Sequence, residues 1–294
     1  MNLYTHRDAN IRKTWALMAL FFALVIVLGW SFSYFYNNPA IFYAAILFAI
    51  FMNIFSYWFS DKIVLKLHQA RPVKREEFFD LWNAAENLAI TAGMPMPSFY
   101  IVTDPAPNAF ATGRDTKHSV ICVTTGLLKI LDKNELEGVI AHELSHIGNR
   151  DMLLSTVAVV MVGFVALLSD LFLRSQVFGG GRGRDDNKGG PLLIIGLALA
   201  ILTPIAASLI RLAISRKREF LADATGALLT RYPEGLASAL QKISSVPAPM
   251  RSANNATAHL FIANPFGTKS LSGLHKLFMT HPPVEERVAA LVGK

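Results

Sequence analysis

The sequence predicts a mainly α-helical integral membrane protein, with four transmembrane helices and an α+β part outside the lipid that carries a small β-sheet. Three observations lead there. Hydrophobic residues make up 52% of the 294 and charged residues only 17%, against about 25% charge in an ordinary globular domain; the mean hydropathy is +0.38. Four apolar segments are each long enough to span a bilayer, which takes about 20 residues. Between the second and third, the pattern changes to short amphipathic and alternating runs.

The first apolar segment runs from residue 15 to about 36, and the second from 39 to about 59. The first is too long for the core of a signal peptide and ends in "WSFSYFY" rather than small residues, so it reads as a retained anchor. The third covers 152–173 and the fourth 191–210; the loop between them, "RSQVFGGGRGRDDNKGG", has the composition of a flexible linker. The net charge of +7 is not gathered into a stripe interleaved with aromatics, which argues against nucleic acid. Instead Arg12, Lys13, Lys62, Lys66 and Arg216 to Arg218 flank apolar segments, as residues facing anionic lipid do. Their placement around the first hairpin puts the N-terminus and residues 60–150 on the cytoplasmic side, while charge leaves the second hairpin undecided. The chain thus divides into a membrane hairpin (1–60), an extramembrane part (61–151), a second hairpin (152–214) and a second extramembrane part (215–294).

Within 61–151, residues 73–92 show helical periodicity, with Phe78, Leu81, Trp82, Ala85, Leu88 and Ala89 on one face and Gly93 as the stop. "SFYIV" (98–102) and "SVICVTT" (119–125) read as strands, separated by the turn-rich "TDPAPNAFATGRDTKH". The single cysteine, Cys122, lies in an apolar run and reads as a small core residue. "DKNELEGVIAHELSHIGN" reads as a helix, with Asp132 and Glu135 at capping-box spacing and Gly148-Asn149 at its end.

That helix carries the chemistry. His142 and His146 fall one turn apart on the same face, where two imidazoles can hold one Zn²⁺. Glu143 is turned about 100° away, beside the metal's open position, which suits a general base. Leu136, Val139, Ile140 and Ile147 form the buried face, and Gly138 leaves space on the histidine face. Catalytic zinc takes three protein ligands and keeps an open position. The candidate third ligand is Glu219 in "RKREFLADATG", with Asp223 one turn on to accept the second ring N–H of a ligand histidine. Glu219 stands about 13 Å of helix beyond residue 210, and His146 about 9 Å before residue 152 if the chain stays helical. Matching heights require the third and fourth segments to cross the membrane and return.

With HELSH and EFLAD in place, the chain resembles the HtpX family of membrane zinc metalloproteases, relatives of the CAAX prenyl-protein proteases. "NAFATG" (108–113), "AHELSHIGNRD" (141–151), "REFLADA" (218–224) and "FMTHPPVEER" (278–287) carry the resemblance in one order over nearly the whole chain. It implies a zincin-type, gluzincin-like catalytic domain in which one zinc is bound by His142, His146 and Glu219 and Glu143 acts as base and acid. By the same resemblance His281 stabilises the transition state. Asn108, Ala109 and Phe110 form an edge that holds extended substrate, and Arg287 either contacts substrate or anchors the C-terminal helix. The implied substrates are membrane or misfolded proteins, cleaved at the cytoplasmic face of a bacterial inner membrane in protein quality control, alongside other membrane proteases. Two readings compete: a processing protease for prenylated or signal-like peptides, disfavoured by only four clear spans, and a non-enzymatic holdase with a structural zinc. Structural sites usually fill all four positions with Cys or His, and Cys122 is the only cysteine available.

Overall fold

The computed structural model describes residues 3–164, 215–254, 256–267 and 282–293. Helices α1 (Leu3–Phe35) and α2 (Pro39–Leu67) form an antiparallel hairpin. The turn is set by Asn37, whose φ is 48°, and by Asn38, whose side chain accepts from the Ala40 N–H at 3.0 Å ahead of Pro39. Among the described residues these are the two helices long and apolar enough to cross a membrane. Their outer faces leave Val27, Trp30, Tyr34, Tyr43, Leu47 and Phe51 uncovered, a surface too apolar to face water and suited to lipid.

The sheet has the order β1-β2-β4-β3, from β1 (Arg71–Pro72), β2 (Ser98–Val102), β3 (Ala109–Gly113) and β4 (Ser119–Thr124). β2 and β4 are parallel and the other two pairs antiparallel. β2 and β4 coincide with the two expected runs. β3 lies inside the stretch expected to be turn-rich. Its Ala, Thr and Gly content carries little strand propensity, and pairing to β4, with all five residues buried, overrides it. Helix α3 (Phe79–Thr91) starts later than its periodicity suggests. Residues 74–77 are spent on a turn closed by Glu77 N–H to the Lys74 carbonyl and by an Arg71–Glu77 ion pair of 2.7 Å. Gly93, at φ 62°, ends the segment as expected.

After the short α4 (Thr125–Ile130), helix α5 (Lys133–Gly148) packs on the sheet face and on α3. Leu136, Val139, Ile140, Leu144 and Ile147 join Phe99, Ile101, Ile121 and Val123 in the main core. Helices α7 (Arg216–Thr230), α8 (Pro233–Ser245) and α9 (Val284–Val292) complete the extramembrane part. Here α6 denotes Asp151–Phe164, bent 78° from α5. α5 therefore does not run straight into the third apolar segment: Asn149 caps it and Arg150, at φ 59°, turns the chain. The height estimate that assumed a continuous helix fails for this reason. The described part of α6 is buried against the first hairpin, with Leu154, Val157, Ala158 and Met161 against Leu17, Met18 and Phe21. Residues 165–173 of the third expected span, the whole fourth span and the glycine-rich loop lie outside the described residues. Of the four expected spans, the two in the first hairpin are present as helices long and apolar enough to cross a membrane.

Candidate metal centre and active site

Helix α5 is fixed at its N-terminus by the expected capping box: the Asp132 side chain accepts from Glu135 N–H, and the Glu135 carboxylate accepts from Asp132 N–H. The same carboxylate accepts from Ser238 Oγ at 2.6 Å and Lys242 Nζ at 2.7 Å, clamping α8 to α5. Two glycines bring neighbouring helices close. A Cβ on Gly138 would stand 2.7 Å from Leu236 N of α8, and one on Gly226 of α7 would stand 3.0 Å from His142 N. The space beside the histidine face is thus filled by backbone of α8, and α7 lies directly against the metal helix.

That approach delivers Glu219. His142 Nε2 and His146 Nε2 are 3.1 Å apart, and the Glu219 oxygens lie 3.8 and 3.7 Å from them. One donor atom from each residue lies within 4.8 Å of the others. The fit to zinc is good: two nitrogens held at about 2.05 Å by one tetrahedral ion stand roughly 3.3 Å apart. Two imidazole nitrogens and a carboxylate oxygen are also a donor set that catalytic zinc uses. Glu143 is buried in the same small cavity, about 40 Å³, and its Oε2 has no protein hydrogen-bond partner. A buried carboxylate oxygen left open at a metal position is what a catalytic base requires.

Each ligand ring has its own carboxylate, and each carboxylate faces an arginine. His142 Nδ1 lies 3.0 Å from Asp223 Oδ1. Arg287, 1% exposed, grips Asp223 with two bonds, Nε to Oδ2 at 2.8 Å and Nη2 to Oδ1 at 2.6 Å. His146 Nδ1 lies 3.1 Å from Asp151 Oδ2, and Arg218 Nη1 lies 3.5 Å from Asp151 Oδ1. A carboxylate on Nδ1 holds the proton there and leaves Nε2 as the metal-facing lone pair. Burial pulls the His142 pKa down to about 4 against the pull of Asp223. Burial also opposes charge on His146, but the bond to Asp151 and the Glu219 and Glu143 carboxylates outweigh it and raise that pKa to about 9. Glu143 is pushed up to about 7, first by burial.

The substrate edge holds a surprise. Asn108, Ala109 and Phe110 do not themselves line the cavity, which the next residue of the same strand, Ala111, does; the chain's own segment Phe261–Ala263 pairs with them instead. Ile262 N–H donates to the Ala109 carbonyl at 2.9 Å. The Asn108 side chain donates to the Ala263 carbonyl at 3.0 Å and accepts from the Ala263 N–H at 3.2 Å. Phe110 bridges to Phe261, and their rings pack edge-on against each other and beside His68. Arg287 Nη1 donates to the Ile262 carbonyl at 3.1 Å, so Arg287 anchors α9 to α7 and to this segment rather than lying open to a ligand. His281 falls outside the described residues. Several residues of the site carry no role expected from the sequence, among them Ala111, His259 and Phe261, which line the cavity, and Asp151, Arg218 and Asn10 around His146. The one signal was polarity, an Asn-Arg-Asp run set directly against a greasy segment.

Residues 76–294 match the sequence profile of peptidase family M48. A protease HtpX homolog of Caldanaerobacter subterraneus subsp. tengcongensis is 49% identical over 98% of this chain and 97% of its own length. A second, of Thermoanaerobacter pseudethanolicus, is 49% identical over the same shares of both chains. The Dictyoglomus thermophilum homolog is 47% identical over 98% of this chain and 93% of its own. Among solved structures, S. mikatae Ste24p superposes with a TM-score of 0.53 at 18% identity, covering 98% of this chain and 67% of that one, a likeness of fold. The motif order, the His–His–Glu convergence and these likenesses agree: the chain belongs to peptidase family M48, on its HtpX branch, and is a membrane metalloprotease.

Proposed function

We propose that the protein is a zinc-dependent endopeptidase that cleaves membrane or misfolded proteins at the cytoplasmic face of a bacterial inner membrane. The observation that carries this reading is the convergence of His142, His146 and Glu219 donor atoms within 4.8 Å, with the unpartnered Glu143 Oε2 in the same cavity. His142, His146 and Glu219 would hold the zinc, which supplies the Lewis acid that polarises a scissile carbonyl and the attacking water. Glu143 takes the water's proton on its open carboxylate oxygen and passes it to the leaving amine. His281 steadies the developing oxyanion, on the strength of the family likeness alone.

Substrate enters as an extended strand on the side of β3 away from β4. The Ala109 carbonyl and the Asn108 amide already make backbone bonds with Phe261–Ala263, so substrate either displaces that segment or adds beside it. A site at the head of the hydrophobic bundle, with α6 starting at Asp151, favours substrates that lie in or on the membrane. Quality control alongside other membrane proteases is the role the family likeness supports.

Metal content and cleavage of casein, measured together in detergent, test the assignment. Glu143→Ala is expected to keep stoichiometric zinc and lose cleavage; undiminished cleavage in clean preparations removes the mechanism. Glu219→Gln is expected to lose zinc, and full zinc in that variant removes the third ligand. As a base, Glu143 must be deprotonated, so cleavage rises with pH through its titration. A bound dication lowers that pKa, which places the acid limb of the zinc enzyme below the value of about 7 set by burial. Protease protection in sealed inverted vesicles reads which side the site faces.

A further inference from the structure

The carboxylate behind His146 is held from inside the membrane hairpin. Asn10 of α1 is 3% exposed, and its side-chain nitrogen makes two donations. One goes to the Asn149 carbonyl at 2.9 Å, at the cap of the metal helix, and the other to Asp151 Oδ1 at 2.6 Å. Asp151, itself buried, spends its second oxygen on His146 Nδ1. The two residues are 141 positions apart. An amide nitrogen has two hydrogens, so this one group satisfies both the carbonyl that ends α5 and the carboxylate that begins α6. Between them Arg150 makes the left-handed turn that bends the helices by 78°.

We propose that Asn10 and Asp151 are positioning residues for the metal centre: Asp151 fixes the ring of His146 with Nε2 toward the metal, and Asn10 fixes Asp151. The proposal rests on the metal assignment above and extends it. Asn10 is buried where α1 passes α5 and α6, with Thr14 one turn on and the Leu17, Met18 and Phe21 contacts to α6 beyond it. A plain staple between α1 and the turn would need only the bond to Asn149. The second bond, to the carboxylate already holding a ligand histidine, ties the ligand ring to the seat of a transmembrane helix. The centre is then fully formed only when α1 is docked, a direct link from membrane insertion to metal binding. Partners of ligating histidines set ring orientation and basicity, and their loss typically weakens metal affinity by about 10–100-fold.

The test uses the full-length protein in detergent, with zinc affinity read by competition against a chromophoric chelator and ligand geometry by the visible spectrum of the cobalt-substituted protein. Asp151→Asn, which keeps shape but places an amide against one of its two donors, is expected to weaken zinc about 10–100-fold. Asn10→Ala is expected to weaken it several-fold and to shift the cobalt spectrum, and Asn10→Gln, which keeps the donor, to recover part of both. Thermal unfolding of the metal-free variants shows which remain folded, and affinities are compared only among those. Asn10→Ala that melts earlier but binds zinc with wild-type affinity and an unchanged cobalt spectrum makes Asn10 a staple and overturns the proposal. Unchanged affinity in Asp151→Asn overturns it for Asp151. Wild-type protein that binds no zinc, or binds it equally well after Glu219→Gln, sinks instead the metal assignment beneath it.

Discussion

Arg287→Met is the most informative single change to the scaffold behind the site. The guanidinium is 1% exposed, bound twice to Asp223 and once to the Ile262 carbonyl, and 3.9 Å from a Glu219 oxygen. Methionine fills much of the same volume and removes the charge, leaving Asp223 buried with only His142 for company. Deleting one partner of a buried ion pair costs about 3–5 kcal/mol, because the other charge is stranded. Asp223 is held below its ordinary carboxylate range: burial opposes the charge, and the bonds from Arg287 and His142 overcome that opposition. Without Arg287 the balance reverses, and at neutral pH the chain bears the burial cost or takes up a proton. With the lost bond to Ile262, the expected destabilisation is about 4 kcal/mol, or roughly 8–16 °C in melting temperature at the sensitivity of larger domains.

The assay is thermal unfolding of zinc-loaded and zinc-free protein in detergent, completed as a cycle with Asp223→Asn and the double variant. The double variant is expected to recover part of the loss, because neither charge is stranded. Arg287→Lys should fall in between, since one ammonium cannot reproduce a planar fork on two oxygens. Zinc affinity falls too, because Asp223 orients His142. Arg287→Met melting within about 1 kcal/mol of wild type, or strictly additive effects in the cycle, would refute the argument that this pair ties α9 to the metal helix.

Other changes probe the parts around it. Gly226→Ala places a methyl 3.0 Å from His142 N, so α7 must back away; we expect a loss of about 1–3 kcal/mol and weaker zinc retention, both read in the same melts, and wild-type zinc affinity argues against close packing as the means of placing Glu219. Cys122 is fully buried in β4 and its thiol is pushed well above the usual range by burial, so a maleimide should leave native protein unlabelled and label it only after denaturation; rapid native labelling contradicts the core assignment. Ile262→Pro removes the N–H bonded to Ala109; if substrate displaces this segment, turnover of short unfolded peptides rises several-fold, while an unchanged or lower rate assigns the segment to the permanent scaffold.

The sequence carried the chemistry further than the shape. HELSH sets two imidazoles on one helix face with a carboxylate beside them by periodicity alone, and with that motif in view Glu219 becomes the candidate third ligand; the structure brings donor atoms of His142, His146 and Glu219 together. The capping box at Asp132 and the stop at Gly93 are equally local, which is why they can be read. What was hidden depends on distant chain. β3 is a strand because β4 and Phe261–Ala263 flank it, and nothing in Ala-Phe-Ala-Thr-Gly says so. The bend after α5 is held by Asn10, which bonds to Asn149 and Asp151 on either side of it, 139 and 141 positions away. α3 begins late because Arg71 and Glu77 close a turn across it. Asp151 was in view in the quoted motif, yet its role depends on the direction taken by a helix that bends away immediately before it.

The two carboxylate–histidine couples show why a polar site this dense is tolerated at the head of an apolar bundle. Both carboxylates behind the histidines are answered: Asp223 by Arg287 and His142, Asp151 by Asn10, Arg218 and His146. In such surroundings an unanswered charge is costly and an answered one strongly fixed. The couples differ in origin. One leads to the C-terminal helix α9, the other to the N-terminal helix α1, so the two metal histidines are oriented from opposite ends of the chain. A damaged C-terminus and an undocked first helix therefore weaken the same ion through different rings. Zinc affinity in an Arg287→Met, Asn10→Ala double variant should consequently fall below that of either single variant, because each route orients a different ring at the same donor cluster.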